Sequence, residues 1–124
     1  LYPDQGVINK WLFNSINKKF IKLYNDPQSA INFISFENIS KSINTCIQKK
    51  LFGLYNVGSD KSISLKELIS IIKQVSENQK LEIKVEGNEL RNFYLDTSLF
   101  EKKSGLCFKQ DLINEAKKIY LLIK

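Results

Sequence analysis

Very few residues of this 124-residue chain could perform chemistry. It holds no histidine, so a Ser-His-Asp triad or a Cys–His nucleophile cannot be assembled from it. Cys46 and Cys107 stand far apart and form no C-x-x-C, which leaves no recognisable metal-ligand set. They read as small apolar core residues in a reducing cytoplasm. Tyr120 and Lys124 are four apart and share a helix face. Tyr120 also fits the apolar stripe of its helix, which is the structural reading of the same residue. Arg91 is the single arginine in a chain whose positive charge is otherwise lysine. Its planar fork matches phosphate oxygens bidentately, as lysine cannot; the competing reading is a surface or salt-bridge residue.

The net charge of +6 suits an anionic ligand, either a nucleotide diphosphate or nucleic acid. The length fits one domain or part of one, with enough apolar residues for a core. No apolar run approaches the roughly 18 residues of a membrane span. The start, Leu1-Tyr2-Pro3-Asp4, is neither basic nor apolar enough for a secretory signal. The chain contains no Met, so it reads as a piece of a longer protein.

Elements must position those few residues. Val7, Ile8, Trp11, Leu12, Ile16 and Phe20 recur at helical spacing and predict a helix over about 7–19. A short strand is expected from Ile21 to Tyr24, then a turn at Asn25-Asp26-Pro27 and a second strand from Ile31 to Phe36. Glu37 opens a helix whose buried stripe is expected to be Ile39, Ile43, Cys46 and Ile47. Leu54, Tyr55 and Val57 predict a strand ending at Gly58. Ser64 and Glu67 follow at capping-box spacing, ahead of a helix over 65–76. Leu81, Ile83 and Val85 alternate with charged residues as a half-exposed strand. Phe93 to Leu95 is a short extended segment. Asp96 or Thr97 caps a short helix ending near Gly105, and a last helix covers about 111–122. Strands alternating with helices predict an α/β domain, a small mixed sheet with about four to five helices.

The strand–turn–capped-helix run Leu54–Leu68 resembles the C-terminal region of the extended short-chain dehydrogenase/reductases, the NAD(P)-dependent epimerases, dehydratases and reductases of nucleotide sugars. The resemblance extends over nearly the whole chain. Leu1-Tyr2-Pro3 looks like a remnant of the family's Asn-x-Tyr-Gly-Pro motif, which implies that Tyr2 and Pro3 lie near the cofactor. The following helix start, Gly6-Val7-Ile8, corresponds to the one the family places near the sugar-nucleotide pyrophosphate. Free amides and the helix dipole would favour an anion there. Phe20-Ile21-Lys22-Leu23-Tyr24 corresponds to the strand that borders the nucleobase, which nominates Lys22 and Tyr24. Ile31-Asn32-Phe33-Ile34-Ser35-Phe36-Glu37-Asn38 aligns with Arg-Asp-Phe-Ile-His-Val-Asp-Asp. Its phosphate-gripping Arg is replaced by Ile31, its Asp by Asn32 and its His by Ser35. Arg91-Asn92-Phe93-Tyr94-Leu95-Asp96-Thr97-Ser98 matches an Arg ahead of a Leu-Asp-x-Ser helix start, which implies Arg91 as a phosphate ligand.

The resemblance therefore implies a C-terminal substrate-binding domain over 1–124, the part of such an enzyme that lacks its Rossmann half. Its ligand would be a nucleotide-diphosphate sugar, bound through Arg91, Val7, Ile8, Lys22, Tyr24 and Asn32, in the biosynthesis of surface polysaccharide sugars. NAD or NADP would belong to the parent enzyme, with none expected to bind this piece, because no G-x-G-x-x-G is present. No catalytic residue is expected in it: the family's Tyr-x-x-x-Lys pair precedes this region, so Tyr120 and Lys124 stand in the wrong place. The implied location is cytoplasmic, with neither metal, membrane nor nucleic acid as partner. Two alternatives stand beside this reading. One is a basic nucleic-acid module, although Lys10, Lys18, Lys19, Lys22, Lys49, Lys50, Lys117 and Lys118 are scattered and no recognition motif appears. The other is an oligomerisation module; separation from a Rossmann partner would leave apolar surface at Trp11, Phe33 and Phe36, and hence self-association.

Overall fold

A computed structural model of the chain describes residues 6–124. The elements run α1 (Val7–Ile16), β1 (Ile21–Leu23), β2 (Ala30–Ile31), α2 (Phe36–Gln48), β3 (Ile63–Ser64), α3 (Leu65–Val75), β4 (Ile83–Val85), α4 (Ser98–Ser104) and α5 (Leu112–Ile123). The expected mixed α/β class with about five helices is what the chain adopts. The sheet differs from expectation. Instead of one small sheet there are, among the described residues, two two-stranded ones, β1 with β4 and β2 with β3. The β1–β4 pair is parallel and places Ile21, Lys22 and Leu23 opposite Ile83, Lys84 and Val85.

The chain divides into two compact units. The first comprises Leu1–Ser29, Ser64–Asn92 and Asp111–Lys124. Here α1, α3 and α5 pack on one another and α1 meets β1. Trp11, Leu12, Ile21, Leu23, Leu68, Ile72, Leu81, Leu112 and Ala116 form its core. Trp11 is buried there, so it contributes nothing to the exposed apolar surface expected of it. The α1 helix stops at Ile16, earlier than the apolar periodicity suggests. Asn17 caps it and Lys18 adopts φ 54°, a left-handed conformation that ends the helix before β1.

The second unit comprises Ala30–Ile63 and Phe93–Gln110. Ala30, Ile63, Phe100 and Phe108 are its buried apolar residues, and Tyr55 meets Phe100 edge-to-face at 6.1 Å. The strand expected over 31–36 covers only its first position. Ser35 accepts a hydrogen bond from the Asn38 amide at 3.1 Å and caps α2, so Phe36 is already helical. The stripe of α2 is amphipathic as expected but is not buried. Ile43 is 57% exposed, Ile47 71% and Phe36 87%. The helix packs on α4, and Ser42 is its one buried residue. The Leu54–Gly58 segment is not a strand, because no strand among the described residues pairs with it. Neither cysteine is in a core: Cys46 is half-buried and Cys107 exposed, both as free thiols.

Candidate functional site

The first unit carries most of the residues nominated for binding. Its organising feature is a loop, 25–29, stitched to the segment 86–91. The Glu86 amide donates to the Leu23 carbonyl at 2.7 Å, and the Asp26 amide to the Glu89 carbonyl at 3.0 Å. Gly87 is needed between them: a Cβ there would stand 1.9 Å from the Tyr24 carbonyl oxygen. Ser29, 2% exposed, donates its hydroxyl to the Glu89 carbonyl at 3.4 Å and accepts the Arg91 amide at 3.0 Å. It fixes the backbone from which Arg91 projects. Nothing in the local sequence marks Ser29 for this role, because its partners lie about sixty residues away.

The same loop completes the α3 N-terminus. The Leu65 amide donates to the Ser29 carbonyl and the Lys66 amide to the Pro27 carbonyl, each at 2.9 Å. Ser64 and Glu67 form the expected capping box: the Glu67 amide donates to Ser64 Oγ at 3.1 Å, and the Ser64 amide to Glu67 Oε2 at 2.8 Å. The four orphan donors of that helix start are satisfied within the protein, so α3 offers no anion site.

The start of α1 is arranged differently. Gly6 is its N-cap at φ 80°, with no side-chain cap and no acidic residue in the first turn. The amides of Val7, Ile8 and Asn9 have no acceptor among the described residues. An anion would find donors and a favourable dipole there. No hydrogen bond or ion pair among the described residues joins this helix start to Arg91.

Side chains on the β1–β4 pair are already engaged with one another. Lys22 pairs with Glu86 at 2.8 Å, and the carboxylate raises the lysine pKa further. Lys84 sits over the Phe20 ring at 3.8 Å. Tyr24 is exposed at the end of β1. Arg91, 68% exposed, holds Glu89 Oε2 through Nη2 at 2.7 Å. This hydrogen-bonded pairing lowers the Glu89 pKa and raises that of Arg91. Both members are solvated, so an incoming diphosphate can compete with the carboxylate.

Asn32 belongs to the second unit, and its amide holds the 58–61 turn. Nδ2 donates to the Ser59 carbonyl at 3.0 Å, and Oδ1 accepts the Ser59 amide at 3.0 Å. Asp60 extends the clamp. It accepts the Gln110 amide at 2.8 Å and pairs with Lys109 at 3.2 Å. The Gln110 hydrogen bond, then Lys109, holds its carboxyl below the ordinary range. Tyr2 and Pro3, nominated near the cofactor, lie outside the described residues.

Gly58 and Gly87 are the two glycines approached most closely, and both face the protein's own atoms. A Cβ at Gly58 would meet Asn32 Oδ1 at 2.5 Å, and one at Gly87 would meet Tyr24. Among described residues no cluster of His, Cys, Asp or Glu could hold a metal, and no helix is long and apolar enough to cross a membrane. Lys124 Nζ lies 5.4 Å from the Tyr120 ring centroid, a cation–π arrangement within α5 and its end.

No protein-family model matches the sequence, and no curated protein matches it. Solved structures do. A UDP-N-acetylglucosamine 4-epimerase from Methanobrevibacter ruminantium M1, in complex with UDP-N-acetylmuramic acid, is 21% identical with a TM-score of 0.84; the match covers 96% of this chain and 39% of that one. A UDP-glucuronic acid 4-epimerase from Bacillus cereus, in complex with UDP-glucuronic acid and NAD, gives 15% and 0.86 over 98% of this chain and 40% of its own. A dTDP-glucose 4,6-dehydratase from Bacillus anthracis str. Ames, in complex with NAD, gives 16% and 0.83 over 97% and 39%. The chain thus has the fold of about two fifths of these sugar-nucleotide enzymes.

Proposed function

We propose that this chain is the nucleotide-sugar-binding part of an NAD(P)-dependent epimerase, dehydratase or reductase, and that the dinucleotide half and the catalytic residues are supplied by the remainder of the parent enzyme. The observation that carries this reading is the near-complete match of the chain to part of several epimerases and a dehydratase, two of them in complex with UDP-sugar ligands. The +6 charge, the Val7 and Ile8 amides, which have no acceptor among the described residues, and the single arginine anchored by Ser29 suit a pyrophosphate. In this reading Arg91 exchanges Glu89 for a phosphate, and Lys22 and Tyr24 border the base. Asn32 acts indirectly, by holding the Ser59 turn. NAD or NADP is held by the parent enzyme, and no step of hydride transfer falls to these residues. A cytoplasmic location and a role in surface polysaccharide sugars accompany the proposal.

Titration of labelled chain with UDP-, dTDP-, GDP- and CDP-sugars, followed by amide shifts, tests it. Shifts are expected at Tyr24 and Arg91 at about millimolar ligand. No shift there with any of the four would sink the proposal.

A further inference from the structure

The first unit holds a buried polar node with no part in the proposed ligand contacts. It lies where α1 and α3 end and β1 begins. Ser15, 2% exposed, stands on the buried side of α1 with Trp11 and Leu12. Its hydroxyl lies 2.6 Å from Ser76 Oγ, and Ser76 Oγ donates to the Ile72 carbonyl at 2.6 Å. A hydroxyl has one proton, so Ser15 is the donor within the pair. Asn78 Nδ2 donates to the Ser15 carbonyl at 3.0 Å, and the Leu81 amide donates to the Asn78 carbonyl at 3.3 Å, ahead of β4. Asn14 Nδ2 donates to the Phe20 carbonyl at 3.2 Å, at the entry to β1.

Polar groups among apolar helix contacts act differently from their neighbours. Helix ridges repeat at every turn, so apolar side chains can be exchanged or slipped past one another at modest cost. A buried hydroxyl cannot. A slip of α1 by one turn, about 5.4 Å, would strand the Ser15 donor without an acceptor. Single buried polar residues fix helix register in this way in coiled coils. For the helix alone, alanine at position 15 would serve better than serine. Among the described residues the start of α1 has no side-chain cap, and a Cβ at Gly6 would meet nothing within 4 Å. The helix is a rod of 10 residues. An axial shift at Ser15 therefore moves Val7, about 12 Å along the axis, by the same amount.

We infer that Ser15, with Ser76 and Asn78, is a positioning residue: the node sets the axial register of α1 on α3, and so the place of the Val7 and Ile8 amides at the other end of the helix. These side chains act through the helix, not on the ligand. Their part in binding rests on the proposed nucleotide-sugar site, whereas the register itself does not.

The test compares the whole chain with its Ser15→Ala and Ser76→Thr variants. Ser15→Ala removes the donor while Ser76 keeps the Ile72 carbonyl, so no buried group is orphaned and the fold is retained, as thermal melting would verify. Without ligand, the Val7 and Ile8 amide signals are expected to shift or double in Ser15→Ala. Ser76→Thr keeps the hydroxyl and is expected to leave them in place. Unmoved signals in Ser15→Ala, or equal movement in both variants, would overturn the inference. Titration with UDP-, dTDP-, GDP- and CDP-glucose then reads the consequence for binding. Affinity should fall about tenfold in Ser15→Ala, because misplaced amides meet the phosphates at poor geometry, and should hold in Ser76→Thr. Binding of equal strength by wild type and Ser15→Ala would overturn the positioning role. No shift at Tyr24 or Arg91 in wild type sinks the ligand site alone, and the Val7 and Ile8 signals still decide the register.

Discussion

Arg91 illustrates how much of a site a single residue can carry and how much its neighbours decide. Its chemistry is legible in the sequence, since a lone guanidinium among lysines stands out. Its tethering is not, because Ser29 and Glu89 reach it through the fold. Asn32 shows the reverse. Its alignment with a family motif nominates it for ligand, yet both ends of its amide hold Ser59. Asp60 continues the same turn, and its lowered pKa makes the turn acid-sensitive. A carboxyl whose folded pKa lies below its unfolded value contributes stability above the unfolded pKa. That contribution is lost as pH falls through the folded pKa. The 58–61 turn and residues 108–110 should therefore loosen below about pH 4. Asp60→Asn should lower the melting temperature at pH 7 and flatten its decline between about pH 5 and 2. An unchanged pH profile in the variant would remove Asp60 from this role.

Among the elements, α3 was the most legible and α2 the least. The capping box of α3 is encoded within four residues, Ser64 to Glu67, so its start could be read locally. The carbonyls of Pro27 and Ser29 that finish the same helix start are remote in sequence and left no local trace. Ser64→Ala should cost about 1 kcal/mol, seen as a fall of about 3–5 °C in melting temperature. For α2 the periodicity gave the correct apolar face, but periodicity does not say what covers a face. The same limit applies to the 54–58 segment, whose apolar Leu54, Tyr55 and Val57 predict a strand that has no partner strand among the described residues. The β1–β4 pair depends on a close approach that a bare Gly-Asn turn signal does not reveal. Gly87→Ala would drive a Cβ into the Tyr24 carbonyl. It should destabilise the first unit by about 2–4 kcal/mol and broaden the amide signals of both strands. Full stability in this variant would show that the 86–89 backbone can yield.

At the scale of the molecule, the chain is two compact units with the fold of about two fifths of several sugar-nucleotide epimerases and a dehydratase. Its class was legible because helix stripes and turn residues are dense along it. The division into two units was not, because each is assembled from separated stretches. The central proposal is that the first unit binds a nucleotide-diphosphate sugar through a guanidinium that a neighbouring carboxylate holds in readiness. The most direct measurement compares the affinity of the wild-type chain, Arg91→Ala and Glu89→Gln for the nucleotide sugar that shifts the Arg91 amide. Loss of the charge-assisted phosphate contact should weaken binding about tenfold in Arg91→Ala. Removal of the competing carboxylate should tighten it in Glu89→Gln. Equal affinity in all three proteins would contradict the account.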